Sequence, residues 1–324
     1  MAVYTEVSDV ELQQFVADYG LGQLLSCKGI AEGVENTNYL ITTASGPFIL
    51  TLYERRVAVD DLPFFLALKQ YLHARGVSCP LPVTARDGRT LHQLAGRSAA
   101  LITFLDGVSV RRPLVWHCGA VGAALARLHL AGDGFAQSRR NALGLSGWRP
   151  LFSKFQSDAD SITPGLKALL SAELAHLESA WPQGLPQGII HADLFPDNVF
   201  YLGDHLSGLI DFYFACNDAL AYDLAVCLNA WCFDPDHTFN RDKGRALLMA
   251  YNAVRPLSAL ERDVLPLLAR GAATRFLLTR SFDWINTPKE ALVRPHDPLD
   301  YIARLRFHQS VRDASDYGLE TVAR

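Results

Sequence analysis

Three polar side chains in the middle of the sequence have the types and order that phosphoryl transfer needs. Asp193 and Asn198 lie in residues 191–200, which read HADLFPDNVF, and Asp211 follows Asn198 by thirteen residues. One carboxylate can orient or deprotonate an attacking hydroxyl, while an amide and a second carboxylate supply the hard oxygen ligands that Mg²⁺ prefers. The spacing therefore predicts a kinase, with Asp193 as the catalytic base and Asn198 and Asp211 as metal ligands.

Short apolar runs flank these residues and predict the strands that position them. Residues 188–190 enter the motif, residues 199–202 leave it, and residues 208–210 lead to Asp211. Short apolar runs bounded by Gly, Pro and Asp are typical of buried strands. We therefore expect Asp193 and Asn198 on one loop between two strands, with Asp211 at the end of the next strand.

The composition indicates an ordinary globular protein. The chain has 324 residues, of which 49% are hydrophobic and 20% charged, and its formal net charge is -4. This balance gives no general attraction to nucleic acid or anionic membrane, so we expect neither as a partner. The N-terminal residues lack a basic stretch followed by an apolar core, and no stretch is apolar enough to span a bilayer. We therefore expect a cytoplasmic location.

Six cysteines are scattered along the chain among apolar neighbours, without a CxxC pair. In a reducing compartment such cysteines are most simply small buried residues. We therefore expect buried thiols rather than a disulfide or a metal site. The six are Cys27, Cys79, Cys118, Cys216, Cys227 and Cys232.

The N-terminal part is predicted to fold mainly as strands. Ser8 and Glu11 form a capping box that begins a first helix, and a second helix is predicted over residues 60–76. Turn residues between apolar stretches predict strands, and the Asp87-Gly88 turn is predicted to join two of them. The predicted strands are residues 24–30, 37–43 and 48–53, one strand on each side of the Asp87-Gly88 turn, and residues 99–105.

From Trp116 onward the pattern is mainly helical, with apolar residues at the spacing of one helix face. The change of pattern predicts two lobes, residues 1–106 and residues 107–324. Together these elements predict an α+β fold of the bilobal protein-kinase type, with an antiparallel sheet and one main helix in the N-terminal lobe. The predicted helices are residues 118–130, 166–180, 221–231, 243–252 and 257–284, the last in two pieces.

The catalytic stretch resembles that of the aminoglycoside and choline kinase superfamily, which shares the bilobal protein-kinase-like fold. Residues 33–54 (GVENTNYLITTASGPFILTLYE), 61–65 (DLPFF) and 275–284 (RFLLTRSFDW) are similar to the bacterial homoserine kinases of that superfamily. The resemblance implies transfer of the γ-phosphoryl group of ATP to the side-chain hydroxyl of L-homoserine, a step of threonine biosynthesis. It implies ATP and Mg²⁺ as cofactors and a small amino acid as the substrate.

The resemblance also implies where the nucleotide binds. Residues 99–107 are similar to the superfamily hinge, so backbone groups of Thr103 and Leu105 are expected to read the adenine edge. A loop over the phosphates is expected where backbone N–H groups can approach closely. Its residues are Gly33, Asn36, Thr37 and Asn38.

Asp223 has two interpretations. It is similar to a superfamily position that supports the catalytic loop. It also lies near the start of a predicted helix, where an aspartate can cap the first turn.

One feature departs from the kinase pattern. Kinases of this fold usually carry a lysine on the third strand, paired with a glutamate of the following helix. Here Thr51 stands where the lysine is expected, and the helix holds no glutamate. Either another cation reaches the phosphates, with Arg55, Arg56 and Lys69 as candidates, or Mg²⁺ and the loop suffice.

The segment after Asp211 indicates a small acceptor. Only about ten residues separate Asp211 from the next predicted helix, without the Ala-Pro-Glu motif that ends the peptide-docking segment of protein kinases. The sequence therefore excludes a peptide platform and favours a small-molecule substrate.

An amino-acid acceptor needs a cation for its carboxylate. Arg275 and Arg280 lie in an otherwise apolar predicted helix, where an arginine needs a partner, and a bidentate carboxylate contact is favourable. The alternative is a structural ion pair involving Asp283. The substrate candidates are Arg275, Arg280, Asp283 and Tyr213, with Asn217 and Asp218 as alternative pocket residues.

Two other functions stay open. The first is a kinase acting on choline, an aminoglycoside or a sugar, and the second is a catalytically silent nucleotide-binding protein. The missing lysine and glutamate make the second conceivable, whereas the intact set of Asp193, Asn198 and Asp211 argues against it. The oligomeric state is left as monomer or homodimer.

Overall fold

The computed structural model describes residues 5–30, 36–54, 58–288 and 294–319. These residues divide into two compact units. The first, called the sheet unit below, contains the described residues up to Val108 together with residues 200–213. The second, the helical unit, contains residues 109–199 and the described residues from Phe214 onward. The lobe boundary predicted after Asp106 assigns residues 200–213 to the C-terminal lobe. In the structure these residues belong to the sheet unit.

Five antiparallel strands form the main sheet of the sheet unit, in the order β1-β2-β3-β5-β4. Side chains along β2 alternate between buried and half-buried positions, as expected for a strand with one face on the core. The strands are β1 (Leu24–Gly29), β2 (Thr37–Thr43), β3 (Gly46–Tyr53), β4 (His92–Leu94) and β5 (Arg97–Thr103).

Two helices pack in the sheet unit. Helix α1 (Asp9–Ala17) begins at the predicted capping box, in which the Ser8 hydroxyl accepts from the Glu11 N–H and the Glu11 carboxylate accepts from the Ser8 N–H. Helix α2 (Leu62–His73) has proline in its first turn, where no hydrogen bond is lost. Leu12 of α1 joins Ile41 and Leu50 of the sheet in one buried apolar core.

The hairpin predicted at the Asp87-Gly88 turn is wrong. Among the described residues no strand lies between α2 and that turn, and the hairpin instead joins β4 to β5. The preceding segment forms an isolated bridge to the sheet, between Pro82 and Ile102, and no strand. Pro80 and Pro82 lack N–H donors, so this segment cannot extend a ladder along β5.

A second hairpin carries the chain toward Asp211. It consists of β7 (Val199–Leu202) and β8 (His205–Leu209), and Asp211 follows two residues after β8. Gly107, just beyond β5, has φ +130, and a Cβ there would lie 2.8 Å from the Tyr201 carbonyl oxygen. A side chain is therefore excluded at Gly107, where the chain leaves the sheet unit.

Seven helices and a two-stranded sheet account for the described secondary structure of the helical unit, apart from short 3-10 turns. Strands β6 (Gln187–Ile190) and β9 (Cys216–Ala219) pair antiparallel. No helix among the described residues is long and apolar enough to cross a membrane. The helices are α3 (Val115–Ala131), α4 (Leu145–Ser153), α5 (Leu166–Ala180), α6 (Leu220–Trp231), α7 (Arg241–Val254), α8 (Ala259–Asn286) and α9 (Leu299–Ser310).

These elements confirm the α+β class, with an N-terminal antiparallel sheet and a helical C-terminal region. The two predicted pieces of residues 257–284 are wrong, because α8 continues through Pro266 as one helix. A proline removes only one backbone hydrogen bond, and the buried face of α8 holds the helix together across it.

The cysteine prediction is confirmed for five of the six residues, which are buried free thiols. Cys27 is a free thiol too, but it is exposed. It lies on β1, which ends the order of the main sheet and is largely exposed along its length.

The buried side chain of His308 on α9 is expected to make the stability of the fold depend on pH. It is buried against the Tyr317 hydroxyl and the Asn229 amide, and burial lowers its pKa to about 3, with Arg304 acting in the same direction. Because the unfolded state takes up a proton near pH 6.5 and the folded state does not, stability is lost as pH falls below 6.5. The expected loss is up to about 1.4 kcal/mol per pH unit.

Urea denaturation at several pH values between 7.5 and 5 measures this dependence. The variant His308→Gln removes the titrating ring and should give a shallower decline of the free energy of unfolding. Equal slopes for the two proteins would show that His308 does not contribute.

Candidate active site

The predicted catalytic loop joins β6 to β7, which confirms its expected place between two strands. Its last turn is a 3-10 helix, Pro196–Asn198. Ala192 within it has φ +64, a left-handed conformation that costs an L-residue other than glycine about 1–2 kcal/mol. The loop must therefore be held in place by surrounding groups.

Asp223 of α6 holds the loop through backbone N–H groups. Its carboxylate accepts from the His191 N–H at 2.7 Å and from the Ala192 N–H at 2.8 Å. Burial alone would raise the pKa of Asp223, but hydrogen bonds from His129 and the His191 backbone lower it, so the buried group is a carboxylate. The capping interpretation is wrong, because α6 begins after Ala219 without a side-chain cap.

Two further side chains hold the loop through its carbonyl groups. Arg275 of α8 donates from Nη1 to the Ala192 carbonyl at 3.0 Å. Trp231 of α6 donates from Nε1 to the Leu194 carbonyl at 2.7 Å. Ala192 is thus bound on both its N–H and its C=O, which offsets its unfavourable conformation.

Asp193, next to the strained residue, has the environment of a proton acceptor. Burial raises the pKa of its carboxyl, and Arg275, whose Nη1 lies 3.4 Å from Asp193 Oδ1, opposes that rise. A raised pKa makes the carboxylate a stronger base, and the neighbouring guanidinium favours its ionised form.

Asn198 is oriented by its own loop. Its Nδ2 donates to the Asp193 carbonyl at 2.8 Å, which fixes the direction of the amide. Its amide oxygen receives no hydrogen bond from any described residue, although the side chain is buried. An amide oxygen that accepts no hydrogen bond from these residues fits a hard cation.

In the sheet unit, Asp211 follows β8 with φ +61, another left-handed residue. The buried side chain of Lys69 on α2 shares its surroundings. Burial lowers the pKa of Lys69 to about 8, and the charges of Cys79 and Asp211 act in the opposite direction. The unit therefore places an ammonium group in the field of the predicted metal ligand.

Tyr213 lies beside the same lysine. The Lys69 ammonium is 5.4 Å from the centre of its ring, and the ring packs edge-on against Tyr53 and Phe65. The Tyr213 hydroxyl donates to the Tyr53 hydroxyl at 3.3 Å. The surroundings of Tyr213 within this unit are thus mainly aromatic.

The two residues predicted to bind adenine, Thr103 and Leu105, differ in whether their backbone groups already make hydrogen bonds. The Thr103 N–H donates to the Leu81 carbonyl at 2.8 Å, so this donor is already used. The backbone of Leu105, beyond β5, makes no hydrogen bond with any described residue. Leu105 therefore retains a donor and an acceptor that could read a nucleobase edge.

The residues of the predicted phosphate loop that the structure describes are tied to the sheet. The Thr37 hydroxyl donates to Glu54 at 2.9 Å, and Asn36 Oδ1 accepts from the Glu54 N–H at 3.3 Å. Asn38 Oδ1 accepts from the Thr51 hydroxyl at 2.8 Å, so the usual lysine position forms a sheet contact. Gly33, Arg55 and Arg56 lie outside the described residues.

The remaining arginine candidate, Arg280, pairs with α9. Its Nη1 lies 3.2 Å from Asp300 Oδ2 and 3.1 Å from the Asp297 carbonyl oxygen, and its guanidinium stacks on the Tyr301 ring. Asp283 lies half-buried three residues further along α8.

The alternative pocket residues lie on β9. Asn217 accepts from the Arg139 N–H, and Asp218 accepts from the Asn141 amide at 2.7 Å. The register of β6 and β9 pairs Asn217 with Ile189 and Asp218 with Gly188. These contacts favour a structural role for both.

Sequence reasoning missed the part that His129 and Trp231 play. His129 hydrogen-bonds Asp223, and Trp231 binds the loop carbonyl of Leu194. A buried histidine or tryptophan needs a polar partner, but the sequence does not say which one.

Solved structures define the fold class. An amicoumacin kinase in complex with AMP-PNP and Ca²⁺ is 16% identical with a TM-score of 0.67, covering 93% of this chain and 92% of that chain. A microcompartment-associated aminopropanol kinase is 17% identical with a TM-score of 0.60, covering 97% and 99%. The protein therefore has the fold of the kinase-like phosphotransferases.

Sequence relatives narrow the class. Residues 26–257 match the phosphotransferase enzyme family. A homoserine kinase of Bradyrhizobium diazoefficiens is 63% identical over 320 residues, covering 98% of each chain, and one of Xanthobacter autotrophicus is 61% identical over 319 residues, covering 98% of this chain and 99% of the relative. The chain belongs to the phosphotransferase enzyme family and, within it, to the homoserine kinases.

Proposed function

We propose that the protein transfers the γ-phosphoryl group of ATP to the side-chain hydroxyl of L-homoserine, giving O-phospho-L-homoserine and ADP. The observation that carries the proposal is the Asp193 carboxylate, held by a strained loop that Asp223, Arg275 and Trp231 bind. The homoserine kinases at about 60% identity over nearly the whole chain support the acceptor. We place this step of threonine biosynthesis in the cytoplasm, by a monomer or homodimer.

Asp193 supplies the base for this reaction. The homoserine hydroxyl oxygen forms the new bond to the γ-phosphorus, the bond to the β–γ bridging oxygen breaks, and ADP leaves. The hydroxyl proton passes to Asp193, whose raised pKa suits a proton acceptor. Because the transition state is loose, orientation of the hydroxyl contributes as much as proton removal.

We propose Asn198 and Asp211 as the residues that hold Mg²⁺. The amide oxygen of Asn198 and the carboxylate of Asp211 are the hard ligands that this ion prefers, and the orientation of the Asn198 amide supports the assignment. When bound, the ion neutralises charge on the phosphates of the nucleotide.

For the nucleotide we propose backbone contacts at Leu105 and, through its carbonyl, at Thr103. The loop over the phosphates would contain Gly33, Asn36, Thr37 and Asn38, of which Asn36 and Thr37 use their side chains on Glu54. Lys69 is the described candidate for the cation on the phosphates, with Arg55 and Arg56 as the others.

For the homoserine carboxylate we propose Arg280, with Arg275 as the second candidate. Arg275 has one nitrogen on Ala192 and Asp193, and its remaining nitrogens make no hydrogen bond with any described residue. Tyr213 and Asp283 stay candidates for the substrate pocket. A carboxylate bound by arginine separates homoserine from an aminoglycoside, which is cationic.

Substitution of Arg280 tests the carboxylate assignment. Arg280→Met should raise the KM for homoserine tenfold or more, because a hydrogen bond to a charged group contributes about 1.5–3 kcal/mol. The KM for ATP and kcat should change by less than about twofold, since the contact exists equally in ground and transition states. Initial rates at varied homoserine and saturating ATP measure both constants.

Arg149→Met provides the matched control, because it also removes an arginine of the helical unit, from the partly exposed ion pair with Glu178. An unchanged KM for homoserine in Arg280→Met would leave Arg280 with only its structural pair to Asp300.

A coupled assay of ADP release with a panel of acceptors tests the function itself. L-homoserine should stimulate turnover far above L-serine, choline and kanamycin. Stimulation by choline or kanamycin without stimulation by homoserine would overturn the proposal. Turnover with none of the four would favour the silent nucleotide-binding protein.

A further inference from the structure

A chain of buried hydrogen bonds leads from the catalytic loop to the C-terminal end of α7 and the first turn of α8. Asp223 Oδ2 lies 3.1 Å from His129 Nε2, and His129 Nδ1 lies 2.7 Å from the Tyr251 hydroxyl. Arg255 Nη1 lies 3.0 Å from the same hydroxyl and 2.9 Å from Glu261 Oε1. The side chains of Asp223 and His129 are fully buried, and so is Tyr251.

One arrangement of protons uses both the Tyr251 hydroxyl proton and both His129 nitrogens along this chain. Arg255 can only donate, so the Tyr251 oxygen accepts from it and the Tyr251 proton goes to His129 Nδ1. His129 then carries its own proton on Nε2 and donates it to the Asp223 carboxylate. Burial raises the pKa of Tyr251, with Arg255 opposing, so the hydroxyl keeps its proton. The hydrogen bonds that join Arg255, Tyr251 and His129 therefore run in one direction, toward Asp223.

Close packing of two helices holds the middle of the chain. His129 lies on α3 and Tyr251 on α7. A Cβ at Gly122 of α3 would lie 2.2 Å from the Leu247 carbonyl oxygen of α7, so only glycine permits this approach. The approach leaves the His129 ring and the Tyr251 hydroxyl at hydrogen-bond distance.

We propose that Tyr251 and His129 are positioning residues for phosphoryl transfer. Tyr251 fixes the tautomer of His129, and His129 fixes the Asp223 carboxylate beneath the N–H groups of His191 and Ala192. Ala192 in its left-handed conformation then sets the direction of Asp193. This proposal rests on the proposed kinase function.

The protein contains a matched pair of residues away from the loop. Tyr317 and His308 repeat the geometry, with the hydroxyl 2.7 Å from Nδ1, and both residues are buried. His308 Nε2 faces the Asn229 amide oxygen at 3.1 Å instead of an aspartate that holds the loop. Loss of the Tyr317 hydroxyl therefore removes the same kind of buried hydrogen bond to a histidine as loss of the Tyr251 hydroxyl. The Tyr317–His308 pair, however, has no hydrogen bond to Asp223 and so no connection to Asp193.

The first experiment compares Tyr251→Phe with Tyr317→Phe. Both should lower the melting temperature, because each leaves a buried histidine nitrogen without its donor. Tyr251→Phe should also lower kcat about tenfold, with the KM values for homoserine and ATP within about twofold, whereas Tyr317→Phe should retain wild-type kcat. Equal kcat in the two variants, whether retained or reduced, would overturn the proposal.

A second pair of variants covers the case in which Tyr251→Phe does not fold. His129→Gln keeps a nitrogen donor for Asp223 and should retain more of the wild-type kcat than His129→Leu, which has none. Equal loss of kcat in both would show that the hydrogen bond to Asp223 is not what His129 provides.

Nitrogen-15 NMR of histidine-labelled protein tests the chain without any assay of activity. His129 should be protonated on Nε2 in the wild type and should become a mixture of tautomers in Tyr251→Phe. An Nε2-protonated ring in both proteins would overturn the role of Tyr251. The NMR measurement of the His129 tautomer needs no turnover. A failure of this proposal can therefore be distinguished from a failure of the wild-type protein to phosphorylate homoserine.

Discussion

Asp193→Asn is expected to lower kcat for homoserine phosphorylation about a thousandfold, within the range that a positioned general base contributes. The amide keeps the size of the side chain and can still orient the hydroxyl through its oxygen, but it cannot take the proton. Arg275 would lose its ionic partner while keeping its hydrogen bond to the Ala192 carbonyl, so the loop should retain its conformation. Single-turnover rates with saturating ATP and homoserine measure the effect.

Asp197→Asn is the matched control, since it makes the same chemical change at an exposed position of the same loop. It should leave kcat within about threefold of wild type. ATP binding, measured by calorimetry, should be similar in all three proteins. A kcat for Asp193→Asn close to that of Asp197→Asn would remove Asp193 from its role.

Asp223→Asn is expected to lower both kcat and stability. The aspartate accepts from His191, Ala192 and His129, whereas an asparagine offers one oxygen and turns an N–H₂ group toward the remaining donors. Leaving one or two buried donors unpaired should reduce the free energy of unfolding by about 2–4 kcal/mol. Release of Ala192 from its strained conformation should reduce kcat about a hundredfold, as expected when catalytic groups are misplaced by about 1 Å.

Urea denaturation and steady-state kinetics on the same preparation measure the two effects. Asp234→Asn is a suitable control, because it changes a carboxylate that binds Lys243 and Asn240 away from the loop. It should reduce stability without reducing kcat. A variant Asp223→Asn that loses stability while keeping wild-type kcat would show that Asp223 does not position the catalytic base.

The sequence could predict much of the fold because local patterns and local structure agree here. Strand β2 and helix α5 were predicted with the bounds they have, since alternation in one and helical spacing in the other are unambiguous. The catalytic loop between β6 and β7 was also predicted, because its polar residues lie between short apolar runs.

Other elements could not be read from local patterns. Strand β9 (CNDA) has little β-propensity and exists because it pairs with β6. Helix α8 continues through Pro266 because tertiary packing outweighs the one lost hydrogen bond. In both cases contacts distant in sequence decide the structure.

The residues that hold the catalytic loop could not be assigned from local sequence patterns either. His129, Trp231 and Arg275 approach the catalytic loop from sequence separations of tens of residues. The sequence marks each as a polar group in apolar surroundings, which predicts that it has a partner but not which partner. Arg275 illustrates this, because the sequence left it as a substrate candidate or a member of a structural ion pair, and it donates to the Ala192 carbonyl and lies beside Asp193.

Phosphorus-31 NMR of a reaction containing ATP, Mg²⁺ and L-homoserine tests the central claim most directly, since it identifies the product as well as the turnover. The account predicts a new phosphomonoester resonance that grows in equal amount with ADP and is absent without homoserine or with Asp193→Asn. Growth of inorganic phosphate alone, or of no new resonance, would contradict transfer to the homoserine hydroxyl.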